Sequence, residues 1–135
     1  MCAAALALVV AGGGVVLANQ SAAPREAVPP ASTSVSAVAR IYLRAAKGQD
    51  CGMTKALTLE SSNTFSWCHD PLLQSYGNVG GPTPALYMSR TGECIDFTMR
   101  TSGSSDGSLP RGTQPWSLCF THTRAGWRVF DQGEG

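Results

Sequence analysis

Two stretches in the second half of the chain alternate apolar and polar residues with a period of two, and each carries a cysteine at the same phase. From Gly92 to Thr101, Ile95, Phe97 and Met99 alternate with Cys94, Asp96, Thr98 and Arg100. From Pro115 to Thr123, Trp116, Leu118, Phe120 and His122 alternate with Ser117, Cys119, Thr121 and Thr123. Successive side chains of a strand point to opposite faces, so this pattern belongs to antiparallel strands buried on one face. With Ile95 and Phe97 opposite Leu118 and Trp116 on the core face, the register sets Cys94 directly opposite Cys119 on the other face, at a separation a disulfide can bridge. Cys51 is then left to pair with Cys68, tying two helical segments. Each bridge closes a loop that the chain-entropy relation values at roughly 3 kcal/mol, a large share of the stability of a small domain. A metal site built from these cysteines is the weaker reading, because the sequence has no CxxC or HxxxH spacing.

Upstream of these strands the chain changes character twice. The segment from Cys2 to Ala18 contains only Cys, Ala, Leu, Val and Gly. As a helix it would extend about 25 Å, at the short end of what spans a bilayer, and Gly12-Gly13-Gly14 weakens it further. The expectation over 1–18 is a signal peptide or membrane anchor, with Val16-Leu17-Ala18 suited to cleavage before Asn19. The usual basic flank is missing, so either the true start lies upstream of Met1 or orientation relies on the amino terminus alone. A lipoprotein cysteine follows its apolar stretch, whereas Cys2 precedes it, which disfavours lipidation. Residues 19–34, NQSAAPREAVPPASTS, carry Pro24, Pro29 and Pro30 among small polar residues and bury too little surface to fold, so they read as a disordered Pro/Ser-rich linker. Asn19-Gln20-Ser21 matches a glycosylation sequon, a match that often arises by chance. The remaining residues, 35–132, suffice for one domain with one core. Four cysteines within it, behind an exported leader, read as two disulfides in an extracytoplasmic protein, secreted or tethered to the cell membrane by its N-terminal segment.

The first part of the domain is helical in pattern. Val35, Val38, Ile41, Tyr42 and Ala45 recur at three- and four-residue spacing, Ser34 or Ser36 can cap the amides, Arg40, Arg44 and Lys47 cover the outer side, and Gly48 suits the end. A shorter helix follows through Met53, Ala56, Leu57 and Leu59, capped by Asp50 with Cys51 in its first turn. Ser61 to Asn63 interrupt it, and Phe65, Trp67 and Cys68 form a bulky stretch without an assignable element. Asp70-Pro71 reads as a cap with proline at the first helical position, opening a short turn through Leu72 and Leu73. Gly77 to Pro84 reads as a loop, TSGSSDGSLPRG as a flexible hairpin loop, and Trp127 and Val129 as a last strand after a tight turn at Thr123 to Gly126. The fold class is therefore α+β, with N-terminal helices packed on a curved antiparallel sheet, behind an apolar leader helix and a disordered tether.

Helices followed by a curved antiparallel sheet ending in Gly126-Trp127-Arg128-Val129-Phe130-Asp131 resemble the NTF2-like cone fold, especially small secreted or membrane-tethered actinobacterial domains of unknown function. The resemblance rests on Ala39-Arg40-Ile41-Tyr42-Leu43-Arg44-Ala45, on Asp50-Cys51 and on the terminal Gly-Trp-Arg-Val, and spans roughly residues 36 to 132. It implies a cone-shaped cavity between sheet and helices. Members of that family include enzymes, ligand binders and structural modules, so the fold transfers no function. The chain departs from the enzymatic members in having no clear polar dyad at matched positions.

A formal net charge of +1, from ten Lys and Arg against nine Asp and Glu, gives no field that would recruit nucleic acid or anionic lipid. Membrane association is expected only through the N-terminal segment, if uncleaved. His122 shares the phase of Trp116, Leu118 and Phe120, which makes it the candidate general base or ligand contact at a cavity mouth; the plainer reading is a solvated histidine at a strand end. His69-Asp70 is explained by the cap, and Asp96 by a surface cross-strand position. No GxSxG elbow or phosphate-binding glycine loop is present, and Gly80-Gly81 beside Pro82 is a turn. Tyr42, Trp116, Phe120 and Trp127, with Trp67, are candidates to line a ligand pocket, although aromatics at such spacing usually build a core. The expectation is a non-enzymatic extracytoplasmic module, without metal or cofactor, that meets an envelope protein or a small apolar ligand. The alternative is a cone-fold enzyme using His122 as general base.

Overall fold

The computed structural model describes residues 26–87 and 90–135. The apolar leader, Cys2, the sequon and the first part of the linker lie outside the described residues. Two helices come first, α1 (Val35–Lys47) and α2 (Cys51–Ala56), followed by five strands, β1 (Leu73–Gly77), β2 (Pro82–Tyr87), β3 (Arg90–Thr101), β4 (Gly112–Thr123) and β5 (Gly126–Gly133). The class is α+β, an open antiparallel sheet of five strands with short helices.

Helix α1 forms where its apolar spacing predicts. The Ser34 side chain accepts from the Ala37 amide, and the face carrying Val38, Ala39, Tyr42, Leu43 and Ala46 is buried. Asp50 caps α2 by accepting from the Met53 amide. The second helix stops at Ala56, short of the Leu59 limit expected from sequence. Past that point the backbone is taken by the edge of β5: the Val129 amide donates to the Leu57 carbonyl (2.8 Å), the Leu59 amide to the Val129 carbonyl (2.7 Å), and Ser62 Oγ to the Phe130 carbonyl (2.8 Å). An open sheet edge and a β-branched residue, Thr58, together outcompete one more helical turn.

The long strands keep the register that the alternation implies. Ile95 faces Leu118, Phe97 faces Trp116 and Cys94 faces Cys119. A disulfide joins Cys94 to Cys119 with Cα atoms 4.0 Å apart, and another joins Cys51 to Cys68 at 5.7 Å. Ile95, Phe97, Met99, Trp116, Leu118, Phe120 and Val129 form the sheet side of the core, closed by α1 and by Trp67. A bulge between Cys119 and Phe120 shifts the pairing with β5.

Three expectations change. Asp70-Pro71 opens no helical turn; its peptide bond is cis, and β1 begins at Leu73. The reason lies across the sheet, where the Leu72 carbonyl accepts from the Ser102 amide and Thr101 Oγ1 while the Leu72 amide donates to Ser102 Oγ. Much of the stretch read as a loop from Gly77 to Pro84 also belongs to the sheet: β1 and β2 pair in turn with the same edge of β3, broken at Asn78 (φ 51°) and rejoined where the Gly80 amide donates to the Asp96 carbonyl. Pro82 and Pro84, which lack an amide hydrogen, suit that outer edge, where no further strand among the described residues would pair with them. The loop from Ser102 to Arg111 is pinned rather than free. Ser105 donates to Asp70 through its amide and its hydroxyl, Ser104 and Ser108 hydroxyls donate to Asp106, and Leu109 is buried.

The linker, too, joins the domain before residue 35. Glu26 forms an ion pair with Arg44 (2.7 Å), Pro29 is buried, and Ala31 lies so close to Gly126 that a Cβ there would stand 3.0 Å from the Ala31 Cα. Gly126 has φ 104°, so both conformation and proximity call for glycine. Among the described residues no helix is long and apolar enough to cross a membrane.

Candidate functional site

The aromatic residues expected to line one pocket divide between two places. Tyr42, Trp116 and Phe120 are buried in the core, whereas Trp127 is half-buried on β5. Around the first group the space between helices and sheet is occupied by Trp67, whose ring packs edge-on to Trp116 at 6.1 Å and tilted to Phe65 at 5.7 Å. Their polar atoms converge on a residue that pattern reading passed over. Gln132 Oε1 accepts from Trp67 Nε1 (2.9 Å) and Trp116 Nε1 (3.3 Å), while its Nε2 donates to the Phe65 carbonyl (2.7 Å). The same carbonyl accepts from the Tyr42 hydroxyl (3.2 Å). Burial pushes the Tyr42 phenol up to about 12, offset in part by hydrogen bonds to Gln132 and Thr58, so it stays neutral and holds its proton. Each indole N–H, the phenol and the Gln132 amide finds a partner here among the described residues, which makes this network a structural hub.

His122 lies beyond the core. It pairs with Trp127 across β4 and β5, their rings 5.0 Å apart and edge-on, and it is exposed. Strand phase sets the face a side chain takes but not how far the core extends along the strand, and the core ends at the preceding pair, Phe120 and Val129. His122 borders a shallow recess of about 260 Å³ shared with Thr91, Gly92, Glu93 and Thr121. His69 and Asp70 form no dyad, since Asp70 is engaged by Ser105 and His69 is exposed. Asp96 is exposed on the Cys94 face. Among the described residues no three His, Cys, Asp or Glu side chains converge as a metal site would require.

A cleft of about 660 Å³ opens instead between α2 and the segment 58–68. One wall is the end of α2 with Lys55 and Ala56, the other is Leu59, Thr64 and Phe65, and Cys51 and Cys68 also line it, so their disulfide is part of its wall. Its shape is fixed from behind. Gln49, in a left-handed conformation (φ 59°), donates from Nε2 to the carbonyls of Ala46 (3.1 Å) and Trp67 (2.9 Å) and accepts from the His69 amide, which locks the end of α1 to the 67–69 turn. The Phe65 carbonyl is held by Gln132 and Tyr42, so the hub fixes the cleft's inner wall. Thr58 and Ser62 spend their hydroxyl protons on the carbonyls of Thr54 (2.7 Å) and Phe130 (2.8 Å). The Thr64 hydroxyl is buried and has no hydrogen-bond partner among the described residues. Lys55 is exposed and makes no ion pair among them.

Sequence reasoning missed this site because the stretch from Leu59 to Cys68 shows no period, and its only signal was the Cys51–Cys68 pairing that closes it. No family model, no curated protein and no solved structure matches the chain.

Proposed function

We propose that the chain is a non-enzymatic extracytoplasmic module that binds a small apolar ligand in the cleft between α2 and the segment 58–68. The observation that carries this reading is the pairing of a filled interior with an open, mainly apolar cleft. Tyr42, Trp67, Trp116 and Phe120 occupy the space between helices and sheet, while about 660 Å³ stands open beside them, within the range of small-molecule sites. The cleft's walls are held by a disulfide, the Gln49 lock and the Gln132 hub, and a site held in shape before binding loses little ordering entropy on binding.

Two disulfides accord with an oxidising compartment, and the apolar leader supplies the route of export in this reading. The order of elements, helices first and then an antiparallel sheet ending in Gly126-Trp127-Arg128-Val129, supports the NTF2-like affiliation. Titration with the neutral fluorophore N-phenylnaphthylamine tests the binding reading. Saturable binding of one probe per chain, abolished by Ala56→Trp at an exposed position on the cleft wall, is the expected result. A probe signal that never saturates, or one indifferent to that substitution, overturns it.

A further inference from the structure

The two disulfides differ in what else holds their cysteines together, and one of them stands in the wall of the cleft. All four cysteines are half-buried, so exposure does not separate the bridges. Cys94 and Cys119 belong to strands that pair over nine positions, so their thiols would stay face to face with the bridge broken. Thiols held in that way reclose at a high effective concentration, and their bridge resists reduction. Cys51 and Cys68 instead join a helix of six residues to a segment tied to the fold only at points. Their bridge has no ladder behind it, and it lines an opening of about 660 Å³, with room for a small molecule. The surroundings also accommodate the reduced pair. The Gln49 carbonyl lies 3.6 Å from Cys51 Sγ and the Ser66 carbonyl 3.4 Å from Cys68 Sγ, so each thiol has an acceptor in place. The Gln49 side chain, bonded to the Trp67 carbonyl and the His69 amide, keeps the two cysteines within reach for reclosure.

We propose that Cys51–Cys68 is a redox latch on the cleft, opened by a low-molecular-weight thiol while Cys94–Cys119 stays closed; its effect on a ligand rests on the cleft being the binding site. A thiolate attacks Cys51 Sγ, forming a mixed disulfide and breaking the Cys51–Cys68 bond. The electron pair goes to Cys68 Sγ, where the Thr54 hydroxyl, 3.7 Å away, donates to the departing thiolate before water protonates it. A second thiolate attacks the thiol-derived sulfur of the mixed disulfide and frees Cys51, which also takes a proton from water. Two thiols are thereby oxidised to one small disulfide and the protein bridge is reduced to two thiols. With the bridge gone, the wall from Leu59 to Cys68 loses the tie that fixes it against α2, and the ligand leaves. Excess small disulfide reverses both steps and restores the cleft.

Equilibrating the folded, oxidised protein with graded ratios of reduced to oxidised glutathione tests this. One portion of each sample is quenched with iodoacetamide and mapped by mass spectrometry; in the other, N-phenylnaphthylamine binding is read without quenching. Cys51–Cys68 should be half-reduced at a ratio at least about tenfold less reducing than Cys94–Cys119 requires. The trapped glutathione adduct should sit on Cys51, and probe binding should fall at least about tenfold with the first bridge and return on reoxidation. The Cys94→Ser/Cys119→Ser variant should keep the same response to glutathione. Reduction of both bridges at one ratio, or probe binding unchanged in samples whose Cys51–Cys68 is open, overturns the latch. An adduct on Cys68 overturns the order of attack and the part given to Thr54. If the probe never binds the oxidised protein while Cys51–Cys68 still opens first, the cleft fails as a ligand site and the latch on segment 58–68 stands.

Discussion

Tyr42 shows how one side chain can serve the core and report on it. Its ring is fully buried in α1, and its hydroxyl donates to the Phe65 carbonyl, which Gln132 also holds. Replacing it by phenylalanine removes one donor and leaves that carbonyl satisfied, so the cost at neutral pH should be about 1 kcal/mol. The alkaline behaviour is more specific. The unfolded chain gives up the phenol proton near the ordinary value of 10.0, whereas the folded protein holds it to about 12. Between those values the unfolded state binds fewer protons than the native state. The stability from this group is therefore intact below pH 10 and falls as pH climbs towards 12, by up to about 1.4 kcal/mol per pH unit. Urea unfolding between pH 9 and 12 should show that slope in the natural protein and a shallower one in Tyr42→Phe; equal slopes would mean that Tyr42 titrates as an exposed phenol does. Of this hub, the apolar spacing of α1 made Tyr42 legible and the strand alternation did the same for Trp116. Gln132 was not legible, because the bulge between Cys119 and Phe120 changes which residues of β5 face the core, and a bulge leaves no mark in a period-two pattern.

The two disulfides tie elements of different kinds. Cys94–Cys119 links two strands that already pair over nine positions, from Glu93 with Phe120 to Thr101 with Gly112. Cys51–Cys68 links a helix of six residues to a segment with almost no regular structure. Their sequence separations, 25 and 17, are close enough for chain entropy to assign each about 3 kcal/mol. Local stability should nonetheless divide. In the Cys94→Ser/Cys119→Ser double variant, amide exchange in β3 and β4 should stay slow. In Cys51→Ser/Cys68→Ser, protection should fall across residues 58–69 while the sheet keeps its own, because that segment has no strand ladder and is held at points, by the bridge, the Gln49 lock, the Gln132 hub and a short pairing to β5. Loss of protection throughout the sheet in the second variant would show that the segment 58–69 belongs to the cooperative core. The sequence made the strands and their bridge legible because strict alternation leaves one register in which the apolar face is buried. It hid β1 and β2, since Leu73-Gln74-Ser75-Tyr76-Gly77 is short and polar and the prolines of β2 read as punctuation until an edge position accounts for them. Asp70 misled for a related reason: it serves as a cap, but for the Ser105 amide across the loop and not for its own chain.

At the scale of the whole molecule, the covalent links bear on where such a chain can stay folded. The described domain is of a size that buries a modest fraction of its surface, and domains of this kind are stable by about 5–15 kcal/mol. Two bridges at about 3 kcal/mol each supply roughly 6 kcal/mol of that, so the reduced protein should sit near the edge of unfolding. A domain of about 100 residues loses about 4–8 °C in Tm for each kcal/mol, and reduction should therefore lower Tm by roughly 25 °C or more. Thermal unfolding followed by near-UV dichroism, with and without excess reductant, measures this directly through Trp67 and Trp116, which sit in fixed packing at the hub. A fall of that size ties the fold to an oxidising compartment and makes the α2 cleft, closed by Cys51–Cys68, a site that exists only there. A shift of a few degrees would instead mean that the sheet, the Gln132 hub and the Gln49 lock hold the domain without the bridges. The cysteines would then carry no information about where the protein works.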